Sequence, residues 1–238
     1  LLSQGGDFML GWPATVDNQI RLQVAPVAQL GDARIDWRRL IERDDHVRQF
    51  QLDGNDLYLM TSTRPGRAIE RIRLPDGARE VVVEGDAARP IDGFTLRAGA
   101  LYVLARATSG VGTQLHRLPK GERTPREVAM PGLDTLFFLS AQEGVADLLV
   151  GGTGWTRFPT VIHIDAEGGL HDTSLQPQPA GVDAAQLVST IVDVPSHDGT
   201  LVPLSIVHRR DLTRDGRNPT LLQGYSAYGF STSPALIA

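Results

Sequence analysis

"FQLDGNDLYLM" (Phe50–Met60) and "FTLRAGALYVL" (Phe94–Leu104) are two copies of one pattern. Phe50, Leu52, Leu57, Tyr58 and Leu59 fall on Phe94, Leu96, Leu101, Tyr102 and Val103, each 44 residues later. The register continues: Arg73-Leu74-Pro75 in "RIRLPDG" falls on Arg117-Leu118-Pro119 in "LHRLPKG" at the same offset. Two motifs sharing one offset make an internal repeat, and repeats of this length point to an architecture before any single element is assigned.

Within the first copy, "HVRQFQL", "DLYLMTST", "AIERIRL" and "EVVVEG" are short runs rich in β-branched and aromatic residues, separated by the turn signals "DGN", "RPGR" and "PDG". Four strands in roughly 40–45 residues is the signature of a β-propeller blade. A weaker copy begins near Leu136 ("LFFLSAQEGVADLLVGG", "PTVIHID", "GLHDTSL"), and a partial one comes first ("DFMLGW", "QIRLQVA", "IDWRRL"). The sequence predicts a mainly β chain with about four blades over residues 1–185. An incomplete ring would leave a strand edge unpaired, so these blades are expected to belong to a larger propeller.

From Leu187 the period breaks. "LVSTIVDVPSHDGTLVPLSIVHRR" reads as two strands joined at Asp198-Gly199, a strong hairpin signal. A polar loop, "DLTRDGRNP", precedes "TLLQGYSAYGF", an almost unbroken apolar run expected to form a strand buried on both faces. Hairpin, loop and buried strand suit the start of an α/β domain over residues 186–238, with the Pro-rich "LQPQPAGVDAAQ" as hinge.

Composition narrows the function classes. The 238 residues are 41% hydrophobic and 21% charged, with a formal net charge of -5. Mild acidity and scattered arginines argue against nucleic acid as a partner, because phosphate contacts need clustered positive charge. No apolar run approaches the roughly 18 residues of a membrane helix, so no membrane partner is expected. There are no cysteines, which excludes disulfides, thiol catalysis and Cys-based zinc sites. Cytoplasmic and periplasmic locations both stay open. The opening "LLSQGGDFMLGW" lacks an initiator Met and a basic n-region, and the chain is read as an excerpt of a longer protein.

"VPSHDGTLVPLSIVHRRDLTRDGRNPTLLQGYSAYGFSTSP" (residues 194–234) resembles the start of the catalytic domain of the prolyl oligopeptidase family of serine peptidases. The matching elements are Asp198-Gly199-Thr200, Val202-Pro203, Asp215-Gly216, and Gly224-Tyr225-Ser226 with Tyr228. Upstream, "GGTGWTRFPTVIHID", with Phe158 and Pro159 in order, resembles the family's last blade, and "WRRLIERDDHVRQFQLDGNDLYLMTS" a middle one. The resemblance implies the C-terminal part of a seven-bladed propeller followed by the first strands of an α/β-hydrolase domain.

It also implies roles. Tyr225 matches the tyrosine whose hydroxyl stabilises the oxyanion, and Tyr228 matches a substrate-binding aromatic that lines the pocket for a proline ring. The catalytic Ser, Asp and His would lie beyond this chain, so that it would be inactive alone and need the remainder of the hydrolase domain. Short peptides would be the substrates, cleaved after proline; cleavage after Lys or Arg is the alternative. Two departures bear on preference: Ser226-Ala227 stands where Gly-Gly or Gly-Ser is frequent, and Gln223 replaces a frequent Tyr.

Ser226 itself invites a different reading, since G-x-S-x-G marks a hydrolase nucleophile elbow. Tyr228 occupies the second glycine position, and no helix-forming sequence follows. Ser226 is read as a turn residue. Of the six histidines (46, 116, 163, 171, 197 and 208), none is assignable to a triad. No His/Asp/Glu spacing suggests a metal and no glycine-rich loop a phosphate, so neither metal nor cofactor is expected. A non-catalytic propeller interaction module, and a propeller-fused esterase or acyl-peptide hydrolase, remain as rivals.

Overall fold

The computed structural model describes residues 5–12, 21–41, 46–97, 99–139, 147–177, 179, 181, 183–225 and 232–236. Among them are seventeen strands and two single-turn 3₁₀ segments, Val27–Gln29 and Ala184–Gln186, and no α-helix. The chain is mainly β. It divides into two compact units: Leu1–Ala105 with His116–Glu127, and Arg106–Leu115 with Val128–Ala238.

The first sheet has three strands, β1 (Phe8–Gly11), β2 (Gln23–Pro26) and β3 (Arg38–Arg39), in that order. The second is β4 (Val47–Asp53), β5 (Asp56–Thr61), β6 (Ala68–Arg73) and β7 (Arg79–Glu84), each antiparallel to the next. The third contains β8 (Ile91–Arg97), β9 (Ala100–Arg106), β10 (Thr113–Pro119) and β11 (Arg126–Val128). The fourth is β12 (Thr135–Phe138), β13 (Leu148–Gly154), β14 (Arg157–Ile164) and β15 (Leu170–Asp172). The described residues up to Asp172 thus form one three-stranded and three four-stranded antiparallel meanders.

The repeat extends to the pairing register. Phe50 faces Leu59, Gln51 faces Tyr58 and Leu52 faces Leu57. Forty-four residues on, Phe94 faces Val103, Thr95 faces Tyr102 and Leu96 faces Leu101. Even the irregularity repeats, with a register shift between Val47 and Gln49 and another between Ile91 and Gly93. A bulge inserts one residue and bends its strand; two at equivalent positions give the two blades the same bend.

Strand periodicity explains why "DLYLMT" is apolar almost throughout. Successive side chains point to opposite faces. Leu57 and Leu59 pack with Leu10, Leu22, Val24, Ile41, Val47, Ile72 and Leu74. Tyr58 and Met60 pack on the other side with Ile69, Ile91, Phe94, Leu101, Val103 and Leu118. A strand covered on both faces carries no polar alternation. Each fully buried Leu of this kind contributes about 1.5–3 kcal/mol relative to exposure.

In the fourth sheet, Gly151 makes room for a neighbour. A Cβ there would lie 2.2 Å from the Phe137 ring on the paired strand. The small residues of "LLVGGTG" therefore let an aromatic lie flat against the strand.

Beyond the sheets, β16 (Leu187–Pro195) and β17 (Leu201–Arg209) form a two-stranded antiparallel hairpin in unbroken register from Leu187–Arg209 to Pro195–Leu201. The predicted Asp198-Gly199 turn closes it. Ser196 N–H donates to the Thr200 carbonyl at 2.8 Å, the Thr200 N–H donates to Asp198 Oδ1 at 3.0 Å, and Gly199 takes φ +82°. That bond to the Thr200 N–H is the main reason the Asp198 carboxyl lies below its ordinary value.

Candidate active-site segment

The segment that carries Tyr225 starts where the hairpin ends. The Arg210 N–H donates to the Gln186 carbonyl (2.6 Å), closing the base of the ribbon. Arg209 meets Asp211 through two bonds of 3.0 Å. The charged hydrogen bond from Arg209 depresses the Asp211 carboxyl.

The polar loop then folds on itself. Arg217 N–H donates to Asp215 Oδ1 (3.0 Å) and Asn218 Nδ2 to the Thr213 carbonyl (2.8 Å). Gly216 sits at φ +78°, the left-handed value that Asp-Gly anticipates. Arg214 Nη2 lies 2.8 Å from His208 Nε2, while His208 Nδ1 lies 2.7 Å from the Arg209 carbonyl. Arg can only donate, so Nε2 accepts and Nδ1 carries the hydrogen. His208 is thus spent on local structure.

From Thr220 to Tyr225 the chain is not a strand. Leu221 is 82% exposed, Leu222 79% and Tyr225 56%. The expectation of a strand buried on both faces is corrected here. Such burial needs a layer packed on each face of the sheet, and among the described residues the hairpin sheet contains only β16 and β17. The hairpin's own apolar residues are exposed for the same reason, including Ile191, Val194, Leu201, Val202 and Ile206.

The sequence-predicted residues are placed as follows. Tyr225 stands in solvent at the end of the loop, and a Cβ on the preceding Gly224 would meet nothing within 4 Å. Tyr228 and Ser226 lie outside the described residues. The chain returns at Thr232–Leu236, where Pro234 is buried and its carbonyl accepts from the Thr135 hydroxyl at 2.9 Å. Sequence reasoning missed this contact, which spans 99 positions and has no local signal.

Two other histidines serve local structure. His163 and His171 are cross-strand neighbours on β14 and β15. Each meets a carboxylate at 2.8 Å, Asp147 and Asp165 respectively. No group of three or more ligating side chains that could hold a metal ion occurs among the described residues. No helix there is long and apolar enough to cross a membrane.

No family model matches the chain. Individual proteins do. A prolyl endopeptidase from Elizabethkingia meningoseptica is 24% identical over 195 residues, covering 81% of this chain and 27% of that protein. Dipeptidyl aminopeptidase BI from Pseudoxanthomonas mexicana is 34% identical over 92 residues, 35% of this chain and 13% of the relative. Among solved structures, a prolyl endopeptidase studied for inter-domain dynamics in catalysis and specificity superposes over all of this chain and 34% of its own, with a TM-score of 0.76 and 19% identity. The chain is related to the prolyl oligopeptidase family.

Oligopeptidase B from Leishmania major has the same fold over 96% of this chain and 35% of its own, with a TM-score of 0.73 and 18% identity. The chain spans about a quarter of the length of the prolyl endopeptidases it matches in sequence. Against the solved prolyl oligopeptidase structures it spans about a third.

Proposed function

We propose that residues 1–185 are blades of a propeller and residues 186–238 open the α/β-hydrolase domain of a serine oligopeptidase. The whole protein cleaves short peptides on the C-terminal side of proline. Its Ser-His-Asp triad acylates and deacylates and lies outside these 238 residues. Tyr225 supplies the chemistry this chain contributes. As the nucleophile attacks the peptide carbonyl, negative charge grows on oxygen. A phenol O–H already aimed at that point contributes about 3 kcal/mol in a water-poor site. Tyr228 forms the wall against which the proline ring stacks.

The observation that carries this reading is a likeness to prolyl endopeptidases over 81% of the chain in sequence and all of it in fold. The propeller restricts substrates to short unstructured peptides, since a folded protein cannot pass between the two domains. Assay of this chain and of the whole protein against a chromogenic proline-containing peptide tests the proposal. Turnover is expected from the whole protein only; turnover by the purified chain would overturn the placement of the triad.

A second reading, cleavage after Lys or Arg, is supported by the Gly224-Tyr225-Ser226-Ala227-Tyr228-Gly229 run, which suits that branch of the family as well. Paired substrates with Pro, Lys or Arg before the scissile bond separate the two.

A further inference from the structure

The polar loop 211–218 is tied back to β17 by a contact whose chemistry depends on a proton. Arg214 Nη2 donates to His208 Nε2 at 2.8 Å, while His208 Nδ1 lies 2.7 Å from the Arg209 carbonyl. A guanidinium carries donors only, so it can bond an imidazole nitrogen only while that nitrogen is bare. A second proton on the ring would occupy Nε2, remove the acceptor and set two cations face to face. The carboxylates closest along the chain are engaged elsewhere. Asp211 holds Arg209 through two bonds of 3.0 Å, and Asp215 accepts from the Arg217 N–H. Asp183, ahead of the hairpin, accepts from the Ala185 N–H and from Gln186 Nε2. On the paired strand Val188 stands in register with His208, and residues 187–192 carry no titratable group. Arg210 and Arg217 add only positive charge.

We propose that His208 and Arg214 form a pH-sensitive latch on this loop, closed while the imidazole is neutral and opened by its protonation. Histidine is the side chain that changes charge between about pH 5 and 8, so the latch responds in that window. Its reach follows from the loop's own bonds. Asn218 Nδ2 donates to the Thr213 carbonyl at 2.8 Å, and the Thr220 hydroxyl donates to the Asn218 carbonyl at 3.2 Å. Release of Arg214 frees the neighbour of Thr213, and with it the bonds that set where residues 219–225 leave the hairpin. The latch stands on the geometry of the loop and does not rest on the role of Tyr225.

NMR on the 238-residue chain tests this without an activity measurement. The ¹⁵N shifts of the His208 ring report which nitrogen carries the proton, and amide exchange reports the loop. The Asp215 N–H donates to the Thr213 carbonyl and the Arg217 N–H to Asp215 Oδ1, so both amides have a bond to lose. Spectra are compared at about pH 8 and about pH 5.5, a window in which ordinary carboxylates stay ionised, with exchange referred to the unstructured rate at each pH. At the higher pH His208 is expected to carry its proton on Nδ1, with Nε2 bare. On acidification protection at Asp215 and Arg217 should fall about fivefold, the effect of losing one ordinary hydrogen bond. His208→Gln keeps an acceptor that cannot titrate and should hold the same protection at both pH values; Arg214→Met should be weakly protected at both. A proton on Nε2 at about pH 8 would overturn the latch. So would equal protection of the wild-type loop at the two pH values, or a His208→Gln loop that loosens in acid as much as wild type.

Discussion

The Gln51 side-chain amide pairs with both backbone polar groups of Leu96: Nε2 donates to the carbonyl at 3.3 Å and Oε1 accepts from the N–H at 2.9 Å. Gln49 does the same for Phe94, at 2.6 and 3.2 Å. β4 and β8 belong to different sheets, so their edges are joined by side chains instead of a backbone ladder. Removing either amide leaves a part-buried N–H and C=O without that partner. Gln51→Ala should cost about 1–3 kcal/mol, read as a lower urea midpoint with an unchanged slope. Gln51→Glu at neutral pH should be worse than expected from size, because a carboxylate cannot donate to the Leu96 carbonyl.

Gly66 makes a prediction about backbone approach. It sits at φ +81°, and a Cβ there would lie 2.1 Å from the Asp86 carbonyl oxygen. Gly31 also has positive φ (+103°) but nothing within 4 Å. Gly66→Ala should therefore combine left-handed strain, about 1–2 kcal/mol, with a main-chain clash, while Gly31→Ala carries strain alone. Thermal melts of the two variants should separate clearly, with Gly66→Ala the lower.

Acid should weaken the fold by a defined route. Asp165 is depressed below 3.8, first by the hydrogen bond from His171 and then by the Gly169 N–H. Asp86 is depressed chiefly by the Arg89 N–H. A carboxyl whose folded value lies below its unfolded one contributes stability above the unfolded value, and that contribution is lost as pH falls through the folded value. Stability should thus fall from about pH 4 downwards. Asp165→Asn should lower Tm at pH 7 and converge with wild type near pH 2, in melts recorded across that range.

Much of the fold was legible because it is repetitive and local. The offset linking Phe50 to Phe94 needs no tertiary knowledge, and the structure extends it to the Leu52–Leu57 and Leu96–Leu101 pairs. Asp198-Gly199 and Asp215-Gly216 announce their own turns. The long-range side-chain bonds were not legible. Gln49, Gln51, Thr135 and Pro234 look like ordinary strand and loop residues, and their partners lie 45 to 99 positions away. "TLLQGY" misled because apolarity signals burial without naming the neighbour that provides it: Leu221 and Leu222 stand exposed beside a two-stranded ribbon.

Exposure of Tyr225 separates folding from function. A half-exposed side chain outside any strand can lose its hydroxyl with a stability change within about 0.5 kcal/mol. Tyr225→Phe in the whole protein, with kcat and KM measured on a proline-containing peptide, tests the central claim most directly. The account predicts kcat lower by about 10²–10³-fold with KM little changed. A kcat equal to wild type would contradict it.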